Sequence, residues 1–195
     1  MGNAKSKLLP KSKVKRRTST KNKDPFPESS TAQKTVDPRL PFTSYRQVFN
    51  LRNSWKTVSR HLEDTSKYNL LLFFQKYPKY KELFPKLKNL KTEEEMKENM
   101  AFENQAVAIF TVFDETMEYI ESLDKAMHGI RMAAQAHSTV PGFEPQFFAD
   151  MEGTFLEAVS HPLGDRFTDS TQDNLRKFYE FVTGCMLAEL KIESC

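Results

Sequence analysis

A chain of 195 residues with 38% hydrophobic content and 16 Phe can fill one core, while 6 Gly are too few for a turn-rich all-β design. No apolar run approaches the roughly 18–20 residues of a membrane-spanning helix, and the basic N-terminus lacks the apolar centre of a secretory signal. The net charge of +3 hides an asymmetry, because residues 1–35 carry ten Lys/Arg against Asp24 and Glu28, a local +8 that leaves the other 160 residues at −5.

The chain opens Met1-Gly2-Asn3-Ala4-Lys5-Ser6, the acceptor pattern for N-myristoylation at Gly2. One myristoyl chain anchors weakly, with a partition constant on the order of 10⁴ M⁻¹. The nine Lys/Arg before Asp24 supply a second signal, each worth about 1 kcal/mol beside an anionic leaflet. The pattern predicts a peripheral, lipid-anchored protein on the cytoplasmic face of the plasma membrane, with the cytoplasm as the alternative. The same run also fits a solubilising tail or a nuclear-localisation arm. No aromatic is interleaved with the charges, which argues against stacked nucleic-acid bases as a partner. Ser12, Thr18, Ser19 and Thr20 lie in the run, where phosphorylation would weaken its hold on a membrane. Pro25, Pro27, Pro38 and Pro41 mark an extended linker, so residues 1–42 are expected to be a disordered tail and linker, with packed structure starting at about Thr43.

Residues 43–195 read as all-α, with six long helices and two short ones. Ser44 is placed to cap a first helix whose apolar face is Val48, Leu51, Trp55, Val58 and Leu62. Asp64-Thr65 is expected to open a second helix through Leu70, Phe73 and Phe74, ending before Pro78. A short turn runs to Leu83, a corner follows from Phe84, and Thr92-x-x-Glu95 is a capping box. From about Asn99 the stripe Phe102, Ala106, Ile109, Phe113, Met117, Ile120 recurs at helical period. Residues 125–138 form a helix carrying His137 in its last turn, a Val-Pro-Gly break follows, and two further helices cover 144–161 and about 168–190. No segment alternates with the period of a strand.

Cys185 and Cys195 are too few for a disulfide framework and wrongly spaced for a metal knuckle. They predict a reducing, intracellular setting, with Cys185 buried and inert and the terminal Cys195 the more redox-active thiol. The sequence contains no calcium-binding Asp-x-Asp-x-Asn/Asp-Gly loop, no phosphate-binding Gly-x-x-x-x-Gly-Lys-Ser/Thr, and no evident Ser/His/Asp grouping.

Over residues 44–190 the chain resembles the globin family, and within it neuroglobin-like or nematode-type intracellular globins. The residues that carry the resemblance are Trp55, Pro78, Phe84, the Phe84-to-Gln105 interval, and His137 followed by Gly142-Phe143-Glu144-Pro145-Gln146-Phe147. The resemblance implies a globin domain over 43–195, a three-over-three sandwich of about eight helices, that binds haem b. His137 takes the place of the proximal iron ligand, with its second ring nitrogen donating to the Ala133 carbonyl. Phe84 would lie against the ring, Phe143 and Phe147 would line the proximal side, and Phe102 and Met151 belong to the expected haem surroundings. Gln105 stands where the family usually has a distal histidine, with Ile109 one turn on and Leu70 directed at the same space. A glutamine amide donates a hydrogen bond to dioxygen but ligates iron poorly, so five-coordinate iron is expected. Ala136 departs from the serine common before the proximal histidine. Lys86 is either a partner for a haem propionate or a solvated lysine. His61, His128 and His161 are expected to be structural.

The function implied is a membrane-tethered haem globin acting in redox signalling, electron transfer or oxygen sensing, with dioxygen or another diatomic ligand and an electron-transfer protein as partners. The alternatives are reversible oxygen transport and a haem-free interaction module.

Overall fold

The computed structural model describes residues 34–193. Gly2, the basic run and Cys195 lie outside these residues. Seven α-helices follow in order: α1 (Tyr45–Arg60), α2 (Leu62–Lys76), α3 (Glu93–Lys97), α4 (Met100–Glu118), α5 (Leu123–Ser138), α6 (Gln146–Leu163) and α7 (Asp169–Glu193). Short 3-10 segments cover Pro78–Leu83 and Gly164–Arg166, and no strand occurs among the described residues. Helix α2 packs on α4 and α6, α5 on α4 and α7, and α1 on α6 and α7, the expected sandwich of three helices on three.

Local chemistry sets several boundaries. Ser44 Oγ accepts from the Gln47 N–H at 3.4 Å, while Gln47 Oε1 accepts from Thr43 N and Ser44 N at 2.9 and 3.3 Å, which closes a capping box on α1. Thr92 and Glu95 close a second box on α3. Asn99 Oδ1 accepts from Ala101 N and Phe102 N at 2.9 and 3.1 Å and starts α4.

Three expectations are corrected. Helix α2 begins at Leu62 rather than at Asp64-Thr65, because His61 alone forms the corner with α1 and Thr65 is a buried packing residue, not a cap. Helix α6 continues through Pro162 to Leu163. A proline in the last turn sacrifices only one hydrogen bond, and Gly164 at φ 51° ends the helix. Packing also reaches back past Thr43, since Leu40 and Phe42 are buried. Leu40 is placed by a turn in which its N–H donates to the Asp37 carbonyl at 3.0 Å. Arg39 pairs with Asp124 at 2.7 Å and Lys34 with Glu121 at 3.3 Å.

The core is aromatic. Trp55 stacks with Phe110 and Phe155 at 6.5 and 6.3 Å and meets Phe178 edge-on at 5.7 Å, which ties α1 to α4, α6 and α7. Its indole N–H donates to Asp114 at 2.8 Å. A second cluster, Phe73, Tyr80, Phe147, Phe74 and Phe84, holds the corner after α2 against α6.

Candidate cofactor pocket

His137 sits in the last turn of α5, which stops before Pro141 and Gly142. Its Nδ1 lies 2.7 Å from the Ala133 carbonyl one turn earlier. A carbonyl only accepts, so Nδ1 carries the proton and Nε2 keeps its lone pair. Burial pushes the imidazole pKa below its ordinary value, opposed by the weaker effect of the Ala133 bond, so the ring is neutral at neutral pH. Phe143 and Phe148 flank the ring at 5.0 and 5.2 Å between centroids. Gly142, at φ 78°, makes the turn that brings Phe143 back beneath the imidazole.

A cavity of about 190 Å³ opens between α4, α5, α6 and α7, and a second of about 230 Å³ adjoins it. The two share Phe84, Gln105, Ala136, His137 and Phe147. Of the residues singled out in the sequence, Phe84, Gln105, Ile109, Ala133, His137, Phe147 and Met151 line the first, and Phe143 lines the second. Leu70 and Phe102 do not reach either space. Both are fully buried in the core, with Phe102 behind Phe74 at 6.4 Å and Phe74 in turn behind Phe84 at 5.2 Å. Lys86 is exposed and lines neither cavity. His61, His128 and His161 are exposed and lie off the cavities, and His161 packs on Tyr68 at 4.5 Å.

The sequence reading missed the wall supplied by α7: Tyr179, Thr183 and Met186. Their spacing of four and three residues is one helical face, so a signal was present beside the neighbouring core stripe Phe178 and Val182. It also missed Val112, Phe113 and Phe148. Tyr179 donates to the Phe148 carbonyl at 2.7 Å and Thr183 to the Tyr179 carbonyl at 2.9 Å. Burial raises the Tyr179 pKa far above the usual phenol range. Cys185 is half-buried, and burial pushes its thiol pKa up.

Chemically, this is an apolar slot lined by one neutral imidazole and one side-chain amide, from α5 and α4. No group of three or more His, Cys, Asp or Glu side chains suited to a metal occurs among the described residues. A bare ion needs several such ligands. The donor set instead suits a flat apolar group that brings most of a metal's coordination with it. Among the described residues no helix is long and apolar enough to cross a membrane.

A helical sandwich with a half-buried histidine at the end of one helix, lining an apolar slot, is globin architecture. The sequence model of the globin family matches residues 69–186, and the chain belongs to that family. A solved chain described as a hexacoordinated haem protein from an anhydrobiotic tardigrade is 31% identical with a TM-score of 0.75, covering 80% of this chain and 99% of that one. Cytoglobin-2 of Danio rerio is 23% identical over 138 residues, 69% of this chain and 77% of that protein. Cytoglobin-2 of Oryzias latipes is 22% identical over 122 residues, 63% of this chain and 68% of that protein.

Proposed function

We propose that the chain is a haem-binding globin whose His137 holds the iron of haem b through Nε2. The observation that carries this reading is the neutral His137, its tautomer fixed by Ala133 and its Nε2 left free beside an apolar slot. Haem supplies iron with a position for a diatomic ligand and a reversible one-electron change. The chain's own residues do the rest. Ala133 orients the imidazole and makes Nε2 more basic. Phe84, Phe147 and Phe148 exclude water, and the Gln105 amide is placed to donate to a small ligand from α4. The tardigrade relative is described as hexacoordinated. In this chain the remaining three histidines lie off the cavity and Gln105 is a poor iron ligand, which favours five-coordination and an open ligand position.

Titration of the purified chain with hemin tests the proposal. A Soret band saturating at one equivalent is expected, and featureless, non-saturating absorbance would refute it.

The tail gives this globin a place of work. Gly2 in its acceptor hexapeptide, followed by nine basic residues before Asp24, supports a myristoylated protein held on an anionic cytoplasmic membrane. A tether restricts diffusion, so redox signalling, electron transfer with a protein partner or oxygen sensing suits it better than bulk oxygen transport. Gly2→Ala is expected to move the protein from the membrane to the soluble fraction of lysed cells. Equal membrane recovery of the two forms would remove the anchor from the account.

A further inference from the structure

A third cavity, of about 420 Å³, lies between α1, the Gly164–Arg166 turn and the start of α7, and shares no lining residue with the two cavities at His137. Leu51 is its one apolar lining residue, and the polar walls include Asn53 and Ser54 from α1, Arg166 from the turn, and Ser170 and Asn174 from α7.

Three independent features make it more than a surface dent. Asn174 is only 4% exposed, yet its side-chain amide has no hydrogen-bond partner among the described residues. Asn174 lines the cavity, so its amide is available as donor and acceptor to a guest there. The Arg166 guanidinium lines the cavity and, like those of Arg46 and Arg60, makes no ion pair among the described residues, so it is free for an anion. The third feature is the N-terminus of the 25-residue helix α7. Thr168 caps the Thr171 N–H there at 3.3 Å, which leaves the first N–H groups of the helix for a guest, in the positive end of the helix dipole.

Asp165 also lines the cavity and sets the chemistry apart from a bare anion site. A carboxylate repels phosphate but accepts from hydroxyl groups. We propose that this cavity binds a phosphorylated polyol, with the phosphate on Arg166 and the first turn of α7, and the hydroxyls on Asn174, Ser54 and Asp165. The volume exceeds that of inorganic phosphate and matches a sugar phosphate or a phosphorylated lipid headgroup. Guanidinium and helix N–H groups are both suited to phosphate oxygens.

The test is titration calorimetry of the full-length protein with glucose 6-phosphate, alongside sedimentation with phosphatidylcholine vesicles containing phosphatidylinositol 4-phosphate. Each probe is applied to the wild type, Arg166→Gln and Asn174→Ala. Binding of at least one probe, weakened fivefold or more by both substitutions, is the expected result. Loss on glucose 6-phosphate assigns a free sugar phosphate, and loss on vesicles alone assigns a lipid headgroup. Because Asn174 is buried, the exposed Arg166→Gln variant decides the matter if Asn174→Ala does not fold. The proposal is overturned if neither probe binds, or if a folded variant binds both probes as the wild type does.

Discussion

Gln105 on α4 and His137 on α5 line the same apolar cavity from two different helices. The other polar side chains lining it, Tyr179 and Thr183, donate their hydroxyls to backbone carbonyls. His137 Nε2 and the Gln105 amide are therefore the polar groups left to meet a guest.

Gln105→Leu removes the donor and keeps the bulk. One net hydrogen bond is worth about 0.5–1.5 kcal/mol, so oxygen should dissociate roughly 2- to 13-fold faster. Stopped-flow displacement of oxygen by carbon monoxide measures this. An unchanged rate would mean that the amide does not reach the ligand.

The pH dependence of the haem-free protein follows from His137. Its folded pKa is lowered by burial, while the unfolded chain protonates near the ordinary value of about 6.5. As pH falls below that value the unfolded state binds the extra proton first, so the native state loses stability until pH reaches the lower folded pKa. Above about 6.5 the contribution is fully present. Urea midpoints should therefore drop more between pH 7.5 and 5 for wild type than for His137→Phe. Parallel curves for the two proteins would contradict the buried neutral assignment.

Tyr80 fastens the corner that carries Phe84 to helix α6. Its hydroxyl donates to Asp150 Oδ2 at 2.6 Å, and Gln146 donates to the other oxygen at 2.9 Å. These bonds hold the Asp150 pKa below the usual carboxylate range, and burial raises that of Tyr80. Tyr80→Phe keeps the ring against Phe73 and Phe147 and deletes the bond. It should cost about 1 kcal/mol in urea unfolding with an unchanged m-value. A neutral result would show that the corner is held by ring packing alone.

What could be read from sequence was what depends on near neighbours. Ser44, Thr92 and Asn99 cap helices through groups two or three residues away. The Val-Pro-Gly break isolates His137 at a helix end. The His137–Ala133 bond spans one helical turn and follows once the helix is granted. Features set by packing between distant segments were harder to see. Leu70 and Phe102 carry helical periodicity that fits a pocket wall as well as a core, and only the close approach of α2, α4 and the Phe84 corner places them behind it. The contribution of α7 depends on its docking against α5, from which α6 and its flanking turns separate it in the chain. Leu40 and Phe42 were hidden by their prolines, which signal an extended chain but not whether its apolar side chains find a surface.

The most direct test of the account is the visible spectrum of His137→Gly loaded with haem, recorded before and after addition of imidazole. Removing the ring leaves the pocket walls in place and takes away the one nitrogen assigned to iron. The ferrous spectrum should lose the wild-type five-coordinate signature and regain it when free imidazole fills the gap. A variant whose ferric and ferrous spectra match the wild type without imidazole would contradict the assignment of His137 as the iron ligand.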